Sequence, residues 1–177
     1  MISCGEASGD LYAGALVDEL RRREPGVSIV GIGGPRLRAA GARLLADYSA
    51  ISVTGPSAAL QVAPRPFLLL RRLVRAARGS RPDVFVAVDF SGFNLRLMAA
   101  LHRLRVPIVY YVSPQLWAWR SGRMRAMKAY VERMLVIFPF EREIYERAGV
   151  PVQFVGHPLV DMARPAEPRA AFLEAHR

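Results

Sequence analysis

The sequence predicts an α/β protein built on an open, doubly wound parallel sheet, and three observations carry that prediction. Short apolar, β-branched runs recur at 2–4, 28–32, 84–88, 108–112, 134–138 and 152–155. They are continuous rather than alternating, as strands covered on both faces must be. Between them lie helical patterns at 9–23, 35–41, 65–79, 92–104, 117–131 and 141–148. Strand and helix in strict turn imply parallel strands joined by crossover helices. Ligands of such sheets bind where the strands end, so each strand end is a candidate position for chemistry.

The first run closes on Gly5-Glu6-Ala7-Ser8-Gly9-Asp10 and opens a helix. Glycines allow a tight turn, Ser8 is placed to cap, and free amides at a helix start attract anions or hydroxyls. The GxGxxG dinucleotide spacing is absent, and Glu6 and Asp10 would repel phosphate while accepting from sugar hydroxyls. A capped turn with two solvated acids is the alternative. The second run ends at Gly31-Ile32-Gly33-Gly34-Pro35, glycines for a turn and Pro35 for a first helical position.

The 65–79 helix divides by period. Phe67, Leu69, Leu70, Leu73, Val74 and Ala77 fall on one side, and Arg65, Arg71, Arg72, Arg75 and Arg78 on the other with Leu68 among them. Such a helix shows a solvated basic face, or lies at a membrane surface with Arg65, Phe67, Leu68, Arg71, Arg72 and Arg75 as its contacts.

Run 84–88 ends at Asp89, with Asn94 at the start of the next helix. A carboxylate just past a buried parallel strand faces the crevice, where partial burial raises its pKa toward a general base's range. Capping that helix is its other reading, and Asn94 either orients a ligand or caps. Run 108–112 leads into Ser113-Pro114-Gln115-Leu116-Trp117-Ala118-Trp119-Arg120, which holds both tryptophans of the chain. Indoles stack on sugar rings and Arg120 can pair with phosphate, or all three pack helix against sheet. The last run ends at Gly156-His157-Pro158, where His157 is a base, an acid, a ligand or a structural donor.

Composition narrows the function. With 177 residues, 52% apolar and 23% charged, the chain is long and apolar enough to bury a core, and global disorder is excluded. One cysteine, Cys4, rules out an intramolecular disulfide framework and points to a reducing compartment. No apolar run reaches the ~20 residues of a spanning helix. A net charge of +10 favours polyanionic partners or an anionic bilayer, unless it reflects arginine-rich composition alone. No nucleic-acid motif accompanies it. The proline-rich stretch from 163 to 177 reads as a linker entering another helix, so the expected organisation is one domain over 1–162 followed by the start of a second.

At these residues the sequence resembles the lipid-A-disaccharide synthases, bacterial glycosyltransferases of lipopolysaccharide assembly. The matching stretches are GEASGD at 5–10, GGPRLRAAG at 33–41, RPDVFVAVD at 81–89 with Phe93-Asn94, YYVSPQLWAWR at 110–120 and FPFEREIYERAGVPVQFVGHPLVD at 138–161. The resemblance implies a GT-B enzyme of two Rossmann-like domains, this chain being the first, with the donor-binding carboxy-terminal domain to follow. It implies transfer from UDP-2,3-diacylglucosamine to 2,3-diacylglucosamine 1-phosphate with inversion, giving the β-1,6 disaccharide 1-phosphate and UDP, with no metal or other cofactor. It places the protein peripherally on the cytoplasmic face of the inner membrane. Asp89 is then the catalytic carboxylate. Glu6, Ser8, Gly9, Asp10, Asn94, Ser113, Trp117, Trp119, Arg120 and His157 line the acceptor site. Many relatives carry a second acid where this chain has Gly92. A noncatalytic module held to anionic membrane by its arginine helix is the alternative reading.

Overall fold

The computed structural model describes residues 1–50, 64–114, 123–163 and 172–174. Its elements in chain order are β1 (Ile2–Ser3), α1 (Ala7–Arg23), β2 (Val30–Gly33), α2 (Pro35–Ala39), β3 (Arg43–Asp47), α3 (Pro64–Ser80), β4 (Phe85–Val88), α4 (Ser91–His102), β5 (Ile108–Tyr111), α5 (Met124–Tyr130), β6 (Arg133–Val136), α6 (Pro139–Arg147), β7 (Val152–Phe154) and α7 (Leu159–Met162). The strands form one sheet in the order β3-β2-β1-β4-β5-β6-β7, and every pair of neighbours is parallel.

Alternate side chains of each strand feed two cores, one per face. Phe85 and Ala87, Ile108 and Tyr110, Met134 and Val136 pack with Leu69, Leu73, Leu97, Met127 and Tyr145 from α3 to α6. Ile2, Cys4 and Val88 pack on the other face with Tyr12, Ala13, Val17 and Leu37 from α1 and α2. Helices on both faces explain why the strands read as unbroken apolar runs.

The sequence reading lacks β3. Its residues, Arg-Leu-Leu-Ala-Asp, have weak strand propensity. Pairing with β2, in register Val30↔Arg43 and Gly31↔Leu44, makes them an edge strand. The four-residue α7 was likewise not expected, and the predicted 117–131 helix is observed as Met124–Tyr130, residues 115–122 lying outside the described set.

In α3, Leu69, Leu73 and Ala77 are buried as the period predicts, but Phe67 is not. It is 59% exposed beside Leu68 at 60%, and the Arg71 guanidinium lies 5.7 Å from its ring centre. Phe67 sits in the helix's first turn, and the buried side chains Leu69, Leu73 and Ala77 all follow it. Among the described residues no helix is long and apolar enough to cross a membrane.

Gly92, in the first turn of α4, is exposed, and a Cβ built there meets nothing within 4 Å. Gly92→Ala is therefore expected to raise stability by about 0.5 kcal/mol, since it restricts the unfolded chain and introduces no clash. A urea midpoint at or below that of the parent protein would contradict this.

Candidate active site

Strand order reverses between β1 and β4, which are neighbours although α1 leads away on one side and α4 on the other. The loops after these strands flank the crevice characteristic of such a switch point. Glu6 follows β1 and Asp89 follows β4, so the topology brings together two carboxylates 83 positions apart.

Asp89 and Phe90 both have left-handed backbones, with φ of 45° and 50°. This conformation costs a non-glycine residue energy and persists only where the surroundings fix it. Here the Asp89 carbonyl accepts from Tyr110 Oη at 2.6 Å and from Asn94 Nδ2 at 2.8 Å, while its amide donates to Tyr111 O at 3.1 Å. Tyr110 and Asn94 are buried. Phe90 stacks on Phe93 and fills the space where a Cβ on Gly5 would fall, 2.1 Å from its ring. Gly5 is thus required for the close approach of the two loops.

The Asp89 carboxyl is pushed up to about 6. Burial is the main cause, followed by the negative charge of Glu6 and a hydrogen bond to it, and the Phe90 amide opposes the shift. Two neighbouring carboxyls hold a proton between them more readily than either does alone. Ser8 Oγ donates to Glu6 Oε1 at 2.5 Å, which steadies Glu6. Ser8 does not cap α1, as the sequence had suggested. Glu6 occupies the N-cap position, and no side-chain bond caps the helix.

Asp89 opens onto a cavity of about 300 Å³ formed by the loops after β4 (Asp89, Ser91), β5 (Ser113, Pro114) and β6 (Phe138, Glu141). Ser113 Oγ donates to Glu141 Oε1 at 2.6 Å, and the Phe138 amide donates to Glu141 Oε2 at 3.2 Å. The sequence reading missed Glu141. Its signal was the Pro139-Phe140-Glu141 start of α6, where an acid at the third helical position reaches back to the amide before the helix.

The other candidates are distributed as follows. Asp10 is 1% exposed and accepts from the amides of Gly34 at 2.6 Å, Arg36 at 2.9 Å and Leu37 at 3.1 Å. Its carboxylate anchors the start of α2, and Cys4 beneath it is pushed up to about 12 by burial and then by that charge. Gly9 is buried against Cys4, Glu6 and the carbonyl of Val88. His157 is half-buried between Tyr12 and Phe138, with ring centres at 5.9 and 5.5 Å, and its Nδ1 accepts from the Leu159 amide. Trp117, Trp119 and Arg120 lie outside the described residues, as does the Arg65 side chain.

A family model described as lipid-A-disaccharide synthetase matches residues 1–176. Proteins named lipid-A-disaccharide synthase are similar throughout the chain. That of Solibacter usitatus is 47% identical over all of this chain and 46% of its own length. That of Koribacter versatilis is 44% identical over 97% and 45%, and that of Geobacter sulfurreducens 47% identical over 93% and 43%. The chain spans a little under half the length of these curated relatives. A match that covers nearly every residue, on a sheet whose switch point pairs two acids, establishes that the chain belongs to the lipid-A-disaccharide synthetase family.

Proposed function

We propose that this chain forms the acceptor-binding half of an inverting glycosyltransferase of lipid A synthesis, with the donor held mainly by a further domain after residue 162. The substrates of this reading are UDP-2,3-diacylglucosamine and 2,3-diacylglucosamine 1-phosphate. The observation that carries it is the Asp89 carboxyl at the switch point, poised near pH 6 and open to a cavity with hydroxyl-bearing walls. Asp89 accepts the proton of the acceptor's 6-hydroxyl as that oxygen attacks the donor's anomeric carbon. The bond from that carbon to the UDP oxygen breaks on the opposite face, giving inversion. Glu6 tunes the base, Asn94 and Tyr110 fix its backbone, and Ser113, His157 and the segment bearing Trp117, Trp119 and Arg120 contribute to the acceptor's surroundings. The test is disaccharide formation by the full-length protein containing this chain, with both diacylated substrates and product identified by mass. No disaccharide from a folded protein would refute the reading.

Helix α3 supports a peripheral position on the inner face of the bacterial inner membrane. Phe67 and Leu68 stand exposed at its start, and Arg71, Arg72, Arg75 and Arg78 are exposed along it. Basic side chains near an anionic surface contribute about 1 kcal/mol each. The triple change of Arg71, Arg72 and Arg75 to Glu is therefore expected to weaken binding to phosphatidylglycerol vesicles by about a hundredfold or more, in sedimentation at low salt. Unchanged sedimentation would remove α3 from the membrane contact. Lost binding with retained transfer in detergent would separate the catalytic reading from that of a noncatalytic membrane module.

A further inference from the structure

The cavity beside Asp89 is lined by a second carboxylate, Glu141. It is 2% exposed, and its two oxygens accept from Ser113 Oγ and the Phe138 amide. One turn further along α6, the buried Tyr145 donates from Oη to the carbonyl of Pro114 at 2.9 Å. Residues i and i+4 of one helix thus grip two successive residues of the loop after β5. The residue just before them, Val112, is held in a left-handed backbone with φ of 62°, strained for a β-branched side chain. Its amide is tied to Leu135 O at 3.1 Å.

A serine hydroxyl has one proton. Ser113 gives its proton to Glu141, so towards the cavity it can only accept. Asp89 and Glu141 both line this cavity, so among the described residues the side-chain donors there reduce to Ser91 and whatever proton Asp89 holds.

We infer that Glu141 is a positioning residue that commits the Ser113 proton and so makes this cavity select hydrogen-bond donors, sugar hydroxyl or N–H groups, over phosphoryl oxygens. The inference rests on the glycosyl-transfer reading for its consequence: the acceptor enters hydroxyl first, with its 1-phosphate directed away from the carboxylates.

The test uses the full-length protein and the variants Glu141→Gln and Ser113→Ala. In Glu141→Gln the negative charge is gone and the amide NH₂ can face Ser113 Oγ, which frees the serine proton. The expected result is a KM for the acceptor about tenfold higher, kcat within about threefold, and inhibition by inorganic phosphate at about tenfold lower concentration. A purely structural role would not lower the phosphate inhibition constant. Ser113→Ala should raise KM similarly, and the double variant should do no worse than either single one, because both remove the same interaction. A folded Glu141→Gln with unchanged KM and phosphate inhibition, or a double variant whose effects multiply, would overturn the proposal. If Glu141→Gln does not fold, Ser113→Thr, which keeps the hydroxyl, should stay near the parent KM while Ser113→Ala does not; equal KM values for all three would overturn it. Calorimetric binding of glucosamine 1-phosphate and of inorganic phosphate to parent and variant is read alongside. A parent protein that makes no disaccharide, yet whose phosphate affinity rises on Glu141→Gln, would refute the transferase reading and leave the selectivity standing.

Discussion

Replacing Asp89 by Asn is expected to lower kcat for disaccharide formation by about 10²- to 10⁴-fold, the usual contribution of a positioned general base, while KM for the acceptor changes little. The amide is isosteric and the residue's backbone is held by Tyr110 and Asn94, so the site keeps its shape. The pH dependence follows from the raised carboxyl. A base must be ionised, so kcat/KM of the parent should rise with pH through about 6 and then level. Changing Glu6 to Gln removes a neighbouring charge and should move that inflection to lower pH. Stability runs the other way. The folded state holds the Asp89 proton more tightly than the unfolded chain, whose ordinary value is 3.8. The stabilisation from the protonated form is therefore fully present below that value and is lost as pH rises through about 6. Asp89→Asn should remove this slope and leave the protein no less stable at pH 7. Thermal melts from pH 4 to 7 and initial rates across the same window check both statements. Near-normal turnover in the variant would eliminate Asp89 as the base.

The second large effect is expected at Asp10, on stability rather than chemistry. Asp10→Ala leaves the amides of Gly34, Arg36 and Leu37 without their acceptor. Gly34 and Leu37 are buried, so water does not readily replace the carboxylate there. Orphaning two buried donors and losing an anion at a helix start should cost about 3 kcal/mol. For a chain of this size that lowers the melting temperature by roughly 6–12 °C. Asp10→Asn keeps one oxygen for Gly34 and Leu37, which both use Oδ1, and should cost about 1 kcal/mol. If Asp10 instead bound sugar directly, both variants would raise KM sharply with an unchanged melting curve. Differential scanning calorimetry with acceptor titration separates the two outcomes.

These two aspartates mark the limit of the sequence reading. Both end a strand or open a helix in a glycine-rich context, and by local pattern both are candidates to meet a ligand. Asp89 does face a cavity, because β4 is central and its loop lies beside the loops that follow β5 and β6. Asp10 points at α2, whose position beside α1 is set by how β2 pairs with β1. Strand and helix periods, the crevice-lining strand ends and the basic stripe of α3 depend on neighbours a few residues apart, so the chain alone specifies them. The exposure of Phe67 did not follow from the period, since helical spacing gives a direction but not the length of the surface that covers it.

What the sequence alone determined is the alternation of buried strands and helices, and hence a parallel sheet with its chemistry at the strand ends. Strand β3, the meeting of Glu6 with Asp89, and the meeting of Glu141 with Ser113 were decided only by tertiary structure. Each depends on contacts between distant segments. β3 is a strand because β2 offers it an open edge, and the two carboxyl environments exist because strand order brings separate loops within hydrogen-bonding distance. Local patterns encode which residues are buried, whereas the partners of a buried polar group are fixed by topology.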